Sequence, residues 1–192
     1  MILKLRMMRY GKLFNVLYDN GGFMERKEFI RDCLIHMSLL VILIILDQLT
    51  KVWARTSLVN APVVVWKNVF SFRLIYNTGA SFGIFHNHTL VLTIFSIIGM
   101  LAIGVFYFML PKTKKMRWMR FMLAMIIAGG IGNIIDRIAF GKVTDMISFD
   151  LINFPVFNVA DIGVTCGALV MCVLWIFYYK DEDFSTWKKS NS

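Results

Sequence analysis

Four long apolar stretches, residues 33–53, 90–110, 119–135 and 159–179, leave this chain few ways to fold. At ~1.5 Å per residue, about 20 helical residues cross the ~30 Å hydrocarbon layer of a bilayer, and each stretch is of that order. A backbone in hydrocarbon finds no water, so such a span closes its own hydrogen bonds as a helix. Composition agrees: 58% of the 192 residues are hydrophobic and 17% are charged, whereas about a quarter of a soluble domain is charged. The expectation is a membrane all-α fold, a bundle of four transmembrane helices. Residues 33–180 form the membrane domain, with tails at 1–32 and 181–192. Trp53 anchors the end of the first span at an interface, and Pro111 stops the second.

Residues 57–88 are too broken to span. Val63–Trp66 and Val69–Tyr76 are rich in β-branched and aromatic residues, which predicts two strands, with a turn at Lys67-Asn68. A glycine-containing loop, Asn77-Thr78-Gly79-Ala80-Ser81-Phe82-Gly83, follows. Residues 60–85 are therefore expected to form a small β-platform at the membrane surface. Fifteen of the 21 Lys and Arg residues precede the first span, lie in the 111–120 link or follow the last span. Basic residues mark the cytoplasmic side, so both termini are expected there and the platform is extracytoplasmic. The net charge of +9 then reports topology, and no nucleic-acid partner is expected. Met1–Tyr18, basic and bulky, reads either as a membrane-surface segment or as a frayed tail. Cys33, Cys166 and Cys172 lack metal-site spacing and read as buried, inert thiols. His86 and His88 have no Cys or Glu nearby, so neither a metal nor a cofactor is expected.

The placement of the acids narrows the function. Between residues 33 and 180 the acids are Asp47, Asp136, Asp145, Asp150 and Asp161, with no Glu. All lie at the outer end of a span or in an outer loop. A proton conduit would distribute acids through the membrane, whereas a reactive centre at one interface gathers them. Asn133, Asp136 and Arg137 share a helix face at i, i+3, i+4, and Asp136 reads as an ion pair with Arg137. Gly129, Gly130 and Gly132 let another helix approach closely, and Gly163 and Gly167 form a GxxxG packing pair. Asp47 and Lys51 read as an i, i+4 ion pair. Asp145 lies outside an obvious helix, and from the residues alone it is either a loop acid paired with Lys142 or a reactive group. Asn158-Val159-Ala160-Asp161 resembles a capping box opening the last span. Capping would also hold the Asp161 carboxylate in a fixed place. Asn77 and Gly79 have a plain reading as turn residues.

Taken together, DQLTK (Asp47–Lys51), NTGASF (Asn77–Phe82), GNIIDR (Gly132–Arg137), VTDMI (Val143–Ile147) and FNVAD (Phe157–Asp161) resemble the bacterial lipoprotein signal peptidases, the signal peptidase II family of membrane aspartyl endopeptidases. The resemblance covers roughly residues 40–180 and departs in the long N-terminal tail. It implies a catalytic dyad of Asp145 and Asp161. It assigns Asp47, Lys51, Asn77, Gly79, Asn133, Asp136, Arg137, Asn158 and Ala160 to supporting the dyad or lining the substrate site. The implied substrate is a diacylglyceryl-modified prolipoprotein, cut just before its lipid-modified cysteine at the extracytoplasmic face of the bacterial inner membrane. No cofactor is implied, membrane lipids are the surroundings, and a monomer is expected. The alternatives are an ion or proton conduit, which a liposome flux assay would reveal, and a lipid-binding adaptor, which would bind substrate without turnover.

Overall fold

The computed structural model of the protein describes residues 24–79, 88–152 and 154–184. The readings of Met1–Tyr18, of loop residues 80–83, of His86 and of the chain beyond residue 184 lie outside the described residues.

Four helices are long and apolar enough to cross a membrane: α1 (Arg26–Ser57), α2 (Thr89–Met109), α3 (Arg117–Phe140) and α4 (Val159–Phe177). Helix α1 begins seven residues before the first apolar stretch. Its charged first turns are fastened instead of frayed: Asp32 pairs with Arg117 (2.5 Å) and Glu28 with Lys114 (3.7 Å). Helix α3 is the central one, with over half of its apolar window buried, against 6–17% for the other three. Glycine makes this possible at the α3–α4 crossing. A Cβ on Gly129 would lie 2.3 Å from the Ala160 carbonyl, and one on Gly167 would lie 2.8 Å from Ile126. The backbones therefore touch where small residues were expected to let them.

The expected hairpin is present. Strand β1 (Val63–Trp66) pairs antiparallel with β2 (Phe70–Asn77) across a turn at Lys67–Val69. Asn68 takes the left-handed conformation there (φ 61°), which an Asn side chain tolerates. The structure adds a third strand, β3 (Val143–Phe149), antiparallel to β2, giving the order β1-β2-β3. Asp145 is thus a strand residue and not a loop acid. Lys142 does not pair with it; the ammonium lies over the Tyr76 ring, 3.4 Å from its centroid. The step from α3 into β3 is made at Gly141, whose left-handed φ of 68° ends the helix.

The bundle is tied at its sheet end by buried charges. Asp47 and Lys51 form the expected ion pair (2.9 Å). Asp136 differs from expectation: its partners are Lys51 (3.7 Å) and Arg55 (3.5 Å) of α1, not Arg137. Its Oδ2 also accepts the Thr144 N–H (2.8 Å). The reason is direction. Adjacent residues on a helix point about 100° apart, so Asp136 faces α1 while Arg137 turns toward the sheet. The three Cys residues also depart from expectation, since Cys166 and Cys172 are exposed on α4 and Cys33 is half-buried. In a membrane span, apolar neighbours do not separate protein-facing from lipid-facing positions.

Asp136 and Lys51 are both fully buried, so removing the Asp136 charge leaves its cationic neighbours under-compensated. Asp136→Asn is expected to destabilise the fold by about 2 kcal/mol, a fall in melting temperature of about 4–8 °C for a chain of this size. A thermal scan in detergent checks this, and an unchanged transition would contradict the assignment.

Candidate active site

Sheet and helix meet at the sheet end of the bundle around a cavity of about 820 Å³. Strand alternation decides what enters it. In β3, Val143, Asp145 and Phe149 line the cavity, as do their partners Ile75 and Asn77 on β2. The intervening Thr144 and Met146 turn the other way, Met146 packing on Ala54 and Leu58 and Thr144 accepting a hydrogen bond from Arg55 (2.9 Å). Asp161, in the first turn of α4, lines the same cavity.

Three asparagines hold the two carboxylates. Asn158 is the N-cap of α4 and forms the full capping box: its side chain accepts the Asp161 N–H (2.9 Å), and its own N–H donates to Asp161 Oδ2 (3.2 Å). The same side chain donates from Nδ2 to Asp145 Oδ1 (2.6 Å) and to Asn133 Oδ1 (3.1 Å). Asn133 donates to Asp161 Oδ1 (2.8 Å), and Asn77 to Asp145 Oδ2 (3.2 Å). Each amide is oriented by a further bond at its oxygen. Asn77 accepts the Gly79 N–H (2.9 Å), and Asn133 accepts Lys51 Nζ (2.9 Å). The amide hydrogens therefore point at the acids.

A second layer sets the position of α4. Asp47 Oδ1 accepts the Ala160 N–H (2.9 Å), while Lys51 Nζ also reaches the Gly132 carbonyl (3.3 Å). A Cβ on Gly132 would lie 2.5 Å from Asp47 Oδ2, so only glycine admits this contact. Asp47, Lys51, Asn77, Gly79, Asn133, Asp136, Asn158 and Ala160 thus form one connected network beneath or beside Asp145 and Asp161. Arg137 lines the cavity with them but makes none of these hydrogen bonds.

The electrostatics separate the two acids. Asp145 is 2% exposed. Burial, and then the neighbouring Asp161 charge, push its carboxyl up to about 7, against the pull of the Asn158 and Asn77 hydrogen bonds. Asp161 is half-buried, in the first turn of α4. Two carboxylates on one cavity can share a proton, an arrangement able to provide both a general base and a general acid without a Ser or Cys nucleophile.

Several functional neighbours went unread in the sequence. Arg55 and Gln48 were missed, although Arg55 continues the Asp47–Lys51 stripe by one more i+4 step. Gln48 donates to the Gly132 carbonyl (3.1 Å). The apolar cavity wall formed by Ile152 and Phe154–Phe157 was also missed. Its signal was weak, since its aromatic residues have no periodicity.

Comparison with known proteins supplies the family. The model of the family described as signal peptidase (SPase) II matches residues 39–177. A lipoprotein signal peptidase of Clostridium tetani is 38% identical, covering 76% of this chain and 93% of that one. One of Clostridium novyi is 37% identical (71% and 95%), and one of Streptococcus thermophilus is 40% identical (69% and 87%). Two solved bacterial membrane enzymes share the fold. One has 27% identity and a TM-score of 0.68, covering 74% of this chain and 87% of that one. The other has 26% identity and a TM-score of 0.65, covering 76% and 94%. With the matched region taking in all five motifs, the chain belongs to the signal peptidase II family.

Proposed function

We propose that this peptidase removes the signal peptide from diacylglyceryl-modified prolipoproteins by cutting just before the lipid-modified cysteine, with Asp145 and Asp161 as its catalytic dyad. The observation that carries this reading is the convergence of both carboxylates on one cavity, each hydrogen-bonded to Asn158. Asp161, ionised, removes a proton from a water held between the acids. The water oxygen attacks the scissile carbonyl carbon, while protonated Asp145 donates a hydrogen bond and then its proton to the carbonyl oxygen. Collapse of the tetrahedral intermediate breaks the C–N bond, and the proton taken up by Asp161 passes to the leaving amine. As the carboxylic acid product forms, Asp145 takes back a proton from the gem-diol hydroxyl; water is consumed, and the pair ends as it began, with Asp145 protonated and Asp161 ionised.

The surroundings suit such a substrate. Leu169, Val170 and Val173 are exposed on α4, the helix that carries Asp161. Acyl chains on the cysteine can stay in lipid while the peptide lies along the sheet end. The Lys and Arg distribution supports cytoplasmic termini and a sheet end on the extracytoplasmic face of the inner membrane. Every group the scheme requires comes from one chain, in keeping with a monomer. Asn77 and Gly79 fix the sheet side of the site, Asn133 and Asn158 the helix side, and Arg137 supplies a cation on the cavity wall.

Incubating the protein with a diacylglyceryl-modified precursor peptide, with mass analysis of the products, should yield the free signal peptide and a fragment beginning at the modified cysteine. Asp145→Asn and Asp161→Asn should each leave an inserted, folded protein whose kcat is lower by about 10³-fold or more; near-normal cleavage by either variant would refute the dyad. The pH dependence has a definite sign. Catalysis needs Asp145 protonated, so kcat should fall as pH rises through about 7. A pH–rate curve that keeps rising into the alkaline range would contradict this assignment.

A further inference from the structure

One acid at the sheet end takes no part in this chemistry. Asp150 follows β3 directly, five residues after Asp145. Its Oδ1 accepts the Ser148 hydroxyl (2.7 Å) and its Oδ2 the Ser71 hydroxyl (2.7 Å). Arg73 donates to Asp150 Oδ1 and also reaches Ser71 Oγ (3.2 Å). The Asp150 N–H donates to the Val69 carbonyl (2.9 Å). These donors, Ser148 and Ser71 foremost, hold its carboxyl below the usual range. Arg73 is available because β2 carries a bulge: between the pairs Phe72–Ile147 and Ile75–Asp145, Arg73 and Leu74 stand opposite the single residue Met146. Bulges of this kind re-aim side chains beside functional sites.

What Asp150 fastens is the cavity wall. Phe149 precedes it, and Ile152, Phe154 and Phe157 follow, all lining the cavity. The Phe149 ring packs between Phe70 and Phe157 (centroids 5.3 and 5.7 Å). The wall ends at Phe157, one residue before Asn158, the amide shared by the two acids. We propose that Asp150, clasped by Ser71, Ser148 and Arg73, is a positioning residue that holds the wall of Phe149, Ile152, Phe154 and Phe157 in register with the dyad and so sets how tightly the substrate peptide is bound. The inference rests on the peptidase reading given above. A purely stabilising role fits poorly: the Arg73 side chain is 43% exposed and that of Asp150 20%, and exposed ion pairs add little to stability. The sheet itself is paired through its backbone with or without the clasp.

The test uses the full-length protein and the diacylglyceryl precursor peptide. Wild-type cleavage and its loss in Asp145→Asn establish that the peptidase assay is sound. Asp150→Asn and Arg73→Met should then each raise KM by about tenfold while changing kcat by less than about twofold. The melting temperature should stay at the wild-type value, and Asp150→Glu should recover part of the KM. Wild-type KM in both variants, a loss confined to kcat, or activity lost in parallel with melting temperature would overturn the proposal. If Asp150→Asn does not fold, the KM of Arg73→Met alone decides. A wild-type protein that cleaves nothing would overturn the peptidase reading and the clasp with it.

Discussion

Everything at the sheet end of this bundle follows from placing two like-charged groups on one cavity in a protein with little water to screen them. Two nearby carboxylates cannot both ionise cheaply in a low-dielectric setting. The fold accommodates them with amides, which donate hydrogen bonds without bringing a full charge. Asn158 is the central case. One residue caps a helix, fixes Asp161 through its backbone and side chain, and donates to Asp145 on a strand. A cation in direct contact would lock either acid in its ionised form and remove the exchangeable proton.

Arg137 lines the cavity without a hydrogen bond to either acid, and Lys51 is kept one layer back. Lys51 is fully buried and touches Asn133, not Asp161, so an amide stands between its charge and the two acids. Its own compensation comes from Asp47 and Asp136. The same Asp47 binds the Ala160 N–H in the first turn of α4. One ionic cluster therefore sets the helix that carries Asp161, while Asp136, through the Thr144 N–H, sets the strand that carries Asp145. Structure and chemistry share this network, and the glycines at 129 and 132 give it room.

Much of this was readable in the residues, for identifiable reasons. The spans follow from apolar length, and the first hairpin from β-branched runs around a turn. The capping box at Asn158 and Asp161 is local, so sequence spacing reports it directly. The failures around the site are long-range. Strand β3 is short and is stabilised by pairing with β2, about 70 residues earlier in the chain, which local pattern cannot reveal. The partners of Asp136 lie on another helix, and proximity in sequence pointed wrongly to Arg137. The bulge that frees Arg73 and the wall beyond Asp150 depend on register, which composition does not encode. The resemblance to signal peptidase II located the acids, but not the amides' orientation or the layer behind them.

In the proposed mechanism Asp145 and Asp161 share one proton. Infrared difference spectroscopy of the carboxyl C=O band, taken between about pH 5 and about pH 9 on wild-type, Asp145→Asn and Asp161→Asn proteins, tests it directly. A protonated carboxyl band should titrate away near pH 7, be missing in Asp145→Asn, and titrate at lower pH once the Asp161 charge is gone. A pair ionised throughout that range, or a midpoint unmoved by Asp161→Asn, would contradict it.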